Sequence, residues 1–221
     1  CRRDTAFQHL MNVTAEDALL CWANDLISDR RAGKPAVGLL GSGQALFVDA
    51  PVDQCKKVDV DAEMANFSQF QIVSEQLARL ADAGVPIVYL TGDVHWGRVT
   101  SGVDTKTGRT ALYEVISSPS RLIRVPFLDT AKEAANTVKG VFGDKDPWPR
   151  HSDPEKVPKR FGEDRRFALH KEFGCRGDHV AIVSFASAGT GLEFQVTYYN
   201  IHWDKTISKS KPTEIFKLTA F

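Results

Sequence analysis

Pro86 opens a run of four apolar residues, Ile87-Val88-Tyr89-Leu90, which stops abruptly at Thr91-Gly92-Asp93. A strand with no polar alternation is apolar on both faces, and strands of that kind are covered on both sides. Just upstream, Phe70, Val73, Leu77 and Leu80 repeat at helical spacing between Ser68 and Gly84, so a helix feeds the strand. Helix, buried strand and polar loop in that order place the chain in the α/β class. At 221 residues and 43% hydrophobic composition it has enough apolar surface for a core, which excludes disorder of the chain as a whole.

The rest of the chain is consistent with one domain over 1–221. A helix is expected from about 15 to 32, where Leu19, Trp22, Ala23, Leu26 and Ile27 keep helical spacing. Thr14 with Asp17 resembles a capping box at its start, and Gly33 and Pro35 end it. Residues 36–48 are apolar but broken by glycine, as a short strand running into a turn would be, and 49–65 read as loop. Residues 98–103 and 110–117 flank the turn-like Asp104-Thr105-Lys106-Thr107-Gly108, which predicts a hairpin. A second hairpin is expected from 180–187 and 192–199, where Leu192, Phe194, Val196 and Tyr198 alternate with polar residues. Between the hairpins, 129–139 is compatible with a helix. Residues 140–179, rich in charge and proline, read as an irregular insertion. A last strand is expected at 213–219.

Charge narrows the partners. The 28 Lys+Arg balance the 28 Asp+Glu, so no global basic field favours nucleic acid or an anionic membrane. The longest apolar stretches, such as 85–90, fall far below the roughly 20 residues of a membrane helix. Cysteines stand at 1, 21, 55 and 175 without paired spacing, which points to reduced thiols. The chain opens on Cys1-Arg2-Arg3 and shows no signal-peptide core, leaving the compartment open.

Chemistry concentrates in Thr91-Gly92-Asp93-Val94-His95-Trp96-Gly97-Arg98. Ligands in open α/β sheets collect at the carboxyl ends of strands, and Asp93 and His95 leave such an end. A carboxylate and an imidazole one residue apart suit zinc, manganese, iron or a similar metal. Gly92 and Gly97 bracket them, as close approach or an unusual backbone angle would require.

In order along the chain, Leu39-Leu40-Gly41-Ser42-Gly43-Gln44, the helical stretch 67–80, Val88-Tyr89-Leu90-Thr91-Gly92-Asp93-Val94-His95-Trp96-Gly97-Arg98-Val99, and Leu112-Tyr113-Glu114-Val115-Ile116-Ser117-Ser118-Pro119 resemble the C-terminal half of PhoD-like metallophosphatases, within the calcineurin-like metallophosphoesterase superfamily. Gly177-Asp178-His179-Val180 looks like the end of such a domain. The resemblance implies a mixed β-sandwich flanked by helices, a phosphoester substrate and two divalent or trivalent metal ions. His95 matches the family's late metal-binding histidine, and Asp93 occupies the place of the first His in the superfamily's G-H-x-H motif. Two cations about 3.5–4 Å apart would polarise the phosphoryl oxygens and orient the attacking group. Arg98, if turned into the cleft, would offset charge developing on phosphorus.

The superfamily's earlier motifs, D-x-H, G-D-x-x-[DY] and G-N-H-[DE], do not occur in residues 1–92. A dinuclear centre takes on the order of six protein donors, against one pair here. The expectation is therefore the C-terminal part of a longer enzyme, weak or inactive alone, that pairs with an N-terminal half or with itself. The alternative is a non-catalytic interaction or accessory domain on the same scaffold. Ser117, Ser118, Asp178 and His179 contain the residue types of a serine hydrolase, but no G-x-S-x-G elbow is present. Gly41-Ser42-Gly43 lacks the spacing of a phosphate loop and reads as a tight turn. The basic runs 156–166 and 205–211 read as solvated loops, and His151, His170 and His202 lack ligand spacing.

Overall fold

The computed structural model describes residues 11–47, 64, 67, 69–92, 97–118, 166–175, 178–189, 191–202 and 206–218. Helix α1 spans Val13–Arg31, and its N-cap is Asn12, whose side chain accepts a hydrogen bond of 2.9 Å from the Ala15 amide. Thr14 therefore lies inside the helix and is not its cap. The reason is local: Asn12 is extended (φ −83°, ψ 170°), which aims its amide oxygen at the unpaired N–H groups of the first turn. Leu19, Ala23 and Ile27, each four residues apart, form the buried stripe. Gly33, at φ +76°, ends the helix in the left-handed conformation that glycine adopts without strain.

Strand β1 (Gly38–Ser42) leads on to helix α2 (Phe70–Asp82), which buries Val73, Leu77, Leu80 and Ala81. Gly84 at φ +71° turns the chain into β2 (Ile87–Thr91). Then follow β3 (Gly97–Asp104) and β4 (Arg109–Ser117), the expected hairpin, and β5 (Phe167–Cys175). These strands form one mixed sheet in the order β1-β2-β4-β3-β5. β1, β2 and β4 run parallel, while β3 runs antiparallel to both β4 and β5.

The second sheet is built on the second hairpin, β6 (His179–Ala188) and β7 (Gly191–Ile201). β8 (Ile207–Lys209) and β9 (Phe216–Leu218) both pair with β7. Phe194, Val196 and Tyr198 are buried, as their alternation requires.

The apolar groups sort into layers. Ile87, Tyr89 and Leu112 meet Leu19, Ala23, Ile27, Leu77 and Leu80 on the helical face of the first sheet. Val88, Val99, Tyr113 and Val115 meet Phe194, Val196, Tyr198, Phe216 and Leu218 of the second sheet. β2 is buried on both faces because helices cover one and a sheet covers the other. The molecule is thus mixed α/β, with two sheets face to face. Among the described residues both helices lie on one side of the sandwich, where the sequence reading placed helices on both.

Two expectations need correction. The irregular stretch expected over 140–179 does not extend to 167–175, which form β5 and pair with β3 along its whole length. Part of the basic run 205–211 is strand β8. The expected loop over 49–65, apart from Met64, the helix at 129–139, and the remainder of the insertion through 165 lie outside the described residues. No helix among the described residues is long and apolar enough to cross a membrane.

Candidate functional site

The carboxyl ends of β2 and β4 lie side by side, with Thr91 paired to Ile116. β3 starts at that same end, since Gly97 pairs with Ser117 on one side and with Cys175, the last residue of β5, on the other. The link 93–96 joins two strand ends at the carboxyl edge of the parallel strands, the place where α/β sheets collect ligands. Asp93 and His95 themselves lie outside the described residues.

Both bracketing glycines are sites of close approach. A Cβ on Gly97 would stand 2.6 Å from Cys175 Sγ, 2.7 Å from His179 Nε2 and 2.8 Å from Tyr198 Cε1. On Gly92 it would stand 3.2 Å from the Ser117 carbonyl oxygen. Neither glycine has positive φ, so packing and not backbone conformation accounts for them.

On the side of the second sheet, this end is closed by polar ties. The Tyr198 hydroxyl donates to the Ile116 carbonyl at 2.7 Å, and Ser117 Oγ accepts from the Ala181 amide at 3.1 Å. Tyr198 stacks on Phe173 with ring centroids 5.0 Å apart and meets His179 edge-on at 5.2 Å. Burial raises the Tyr198 hydroxyl well above its ordinary range, which keeps it a donor. His179 is 1% exposed, and Cys175 is half-buried beside it. Ser117 is thus a tie between the sheets, a structural role in place of the nucleophile that a serine hydrolase would need.

On the helical side lies a buried ion pair. Arg98 Nη2 is 3.1 Å from Glu114 Oε2, with both side chains at 0% exposure, and the same nitrogen donates to the Phe47 carbonyl at 3.1 Å. The other carboxylate oxygen, Glu114 Oε1, accepts the amides of Leu46 at 2.5 Å and Phe47 at 3.1 Å. Burial pushes the Glu114 carboxyl upward, against the pull of Arg98 and of the two amides. The loop after β1 is held further by the Tyr89 hydroxyl, which donates to the Gln44 carbonyl at 2.8 Å, while Ser42 Oγ donates to Gln44 Oε1 at 2.9 Å.

Arg98 therefore does not sit on a solvated strand. Through Nη2 its guanidinium clamps the segment 46–47 to β3 and β4. Glu114, quoted in the sequence pattern but given no role there, is the partner that makes this possible. The signal was a carboxylate inside the apolar run 111–116, since a buried charge requires a counter-charge. The tight turn expected over Gly41-Ser42-Gly43 starts later: Gly41 and Ser42 are the last residues of β1, paired with Leu90 and Thr91, and the chain bends from Gly43. A Cβ on either glycine would meet nothing within 4 Å. His170 is exposed on β5, and His202 Nε2 lies 2.6 Å from Ser208 Oγ at the surface. Cys21 is an exposed free thiol.

Among the described residues no three His, Cys, Asp or Glu side chains are grouped as a metal site. By donor type, the imidazole of His179 and the thiol of Cys175 beside Gly97 are compatible with a cation at this strand end. Comparison of the chain with family models, with curated proteins and with solved structures returns no match.

Proposed function

We propose that the chain is part of a metal-dependent phosphoester hydrolase of PhoD-like type, with Asp93 and His95 as metal ligands. The observation that carries this reading is the position of their link. Residues 93–96 join β2 to β3 at the carboxyl end of three parallel strands, rooted in two glycines packed against neighbouring atoms. A carboxylate and an imidazole at that point suit a di- or trivalent cation and an anionic ester. When bound, such a cation supplies positive charge for the phosphoryl oxygens and acidifies the attacking water. The chain's own contribution is positional. Arg98 and Glu114 fix the first turn of β3 from one side, and Tyr198, Ser117 and His179 close it from the other, so the link starts and ends on rigid supports. We reassign Arg98 from phosphate contact to positioning. The remaining donors of a dinuclear centre are supplied by a complementary polypeptide segment, so turnover by this chain alone is slow.

Hydrolysis of bis(p-nitrophenyl) phosphate over long incubations with manganese, zinc, iron or calcium tests the reading. Slow release of nitrophenol that stops on chelation and falls at least about tenfold in His95→Ala is expected. Release no greater than that of His95→Ala, together with no metal retained by the wild-type chain, would overturn the hydrolase reading and leave an interaction domain in its place.

A further inference from the structure

At the opposite end of the first sheet, where α1 and α2 finish and β2 begins, the described residues line an open surface cleft of about 960 Å³. That volume falls in the range of small-molecule sites. Its walls carry Arg30, Arg31 and Arg79, with Asn24 and Ser28 as neutral polar groups, and Ile27 and Ala83 give an apolar surface. Asp82 is its one carboxylate.

Arg30, Arg31 and Arg79 stand in the last turns of the two helices, where cations complement the helix dipole, and three features bear on whether they are also available to a ligand. The last carbonyls of both helices are already taken by backbone amides: Ser28, Asp29 and Arg30 accept from Ala32, Lys34 and Gly33, and Arg79 and Leu80 accept from Ala83 and Val85. The guanidinium groups are therefore not consumed in capping. Asp82 is neutralised from outside by Arg166, at 2.7 and 3.2 Å, and by Lys106 at 3.6 Å. The Arg166 hydrogen bonds hold its carboxyl below the ordinary range. What remains is a local excess of arginine in a chain of zero formal charge. Finally, Arg79 is preorganised, because Nη2 donates to Asn24 Oδ1 at 2.6 Å across the helix pair and Nη1 donates to Gln76. Among the described residues Arg30 and Arg31 make no ion pair, and both line the cleft.

We propose that this cleft binds a compact multivalent oxyanion, held by the guanidinium forks of Arg30, Arg31 and Arg79. Guanidinium geometry suits phosphate and carboxylate oxygens alike, and closely spaced charges match three arginines that line one cleft. The site is independent of the strand end that carries Asp93 and His95.

Calorimetric titration of the His95→Ala chain with inorganic pyrophosphate, in the presence of chelator, keeps the two sites apart. Saturable one-to-one binding that weakens at higher salt is expected. Arg31→Ser and Arg79→Gln should each lower the affinity about tenfold, while Lys217→Ser, which removes one charge from the distant strand β9, should leave it unchanged. Citrate in place of pyrophosphate distinguishes a carboxylate ligand from a phosphate one, and saturable binding of either supports the site. Absence of saturable binding of both overturns the proposal. So does equal weakening by Lys217→Ser, or binding of heparin without binding of the small anions, since these indicate only a diffuse surface field.

Discussion

Glu114→Ala lowers the folding stability by about 3–5 kcal/mol, the largest loss expected of any single substitution here. The carboxylate is fully buried and meets three donors: Arg98 Nη2 and the amides of Leu46 and Phe47. Removing it takes a carboxylate from a guanidinium at 0% exposure, and breaking a buried pair costs far more than losing a surface one. Two amides lose their acceptor as well. Urea denaturation reads the effect as a fall in midpoint with little change in slope. The double variant Arg98→Met with Glu114→Leu removes both charges together, so it should be less destabilised than Glu114→Ala alone. A Glu114→Ala chain within about 0.5 kcal/mol of wild type would show that the pair does not hold the core as described.

Gly97→Ala carries the second large effect. An added methyl would lie under 3 Å from a sulfur, an imidazole nitrogen and a tyrosine ring carbon, and these belong to β5, β6 and β7. A single flexible side chain could swing away, but three atoms on three paired strands cannot yield together. Overpacking of this kind costs about 1–3 kcal/mol. Gly41→Ala is the matched control, because its methyl would meet nothing within 4 Å, and a change within about 0.5 kcal/mol is expected. Since Gly97 roots the link that carries Asp93 and His95, Gly97→Ala should also weaken metal retention, whereas Gly41→Ala should not. Equal stability of the two variants would remove Gly97 from this account.

Which elements the sequence disclosed follows from how each is stabilised. β2 was legible because burial on both faces leaves an unbroken apolar run, and β7 because burial on one face leaves strict alternation. β5 was hidden for a physical reason. It is an edge strand of its sheet, and His170, Lys171 and Glu172 give it the charge that edges carry. A register shift opposite Val99 and Thr100 also interrupts its alternation. β8 is a short edge segment of the same kind. At the candidate site, the strand end and its two glycines could be read in advance, since an abrupt stop in an apolar run marks a carboxyl edge. The closing groups could not, because Cys175, His179 and Tyr198 reach Gly97 only through pairing between distant strands. The burial of Arg98 could not be read in advance, because its nearest signal is local and polar, while Glu114 sits sixteen residues on in the neighbouring strand.

Equilibrium dialysis of the chain against manganese, zinc or iron, followed by elemental mass spectrometry with His95→Ala and Asp93→Ala alongside, reads metal binding at the end of β2. The wild-type chain is expected to retain metal, and either substitution to lower its affinity at least about tenfold. Retention that is absent from the wild-type chain, or unchanged in both variants, would contradict a metal site at the end of β2.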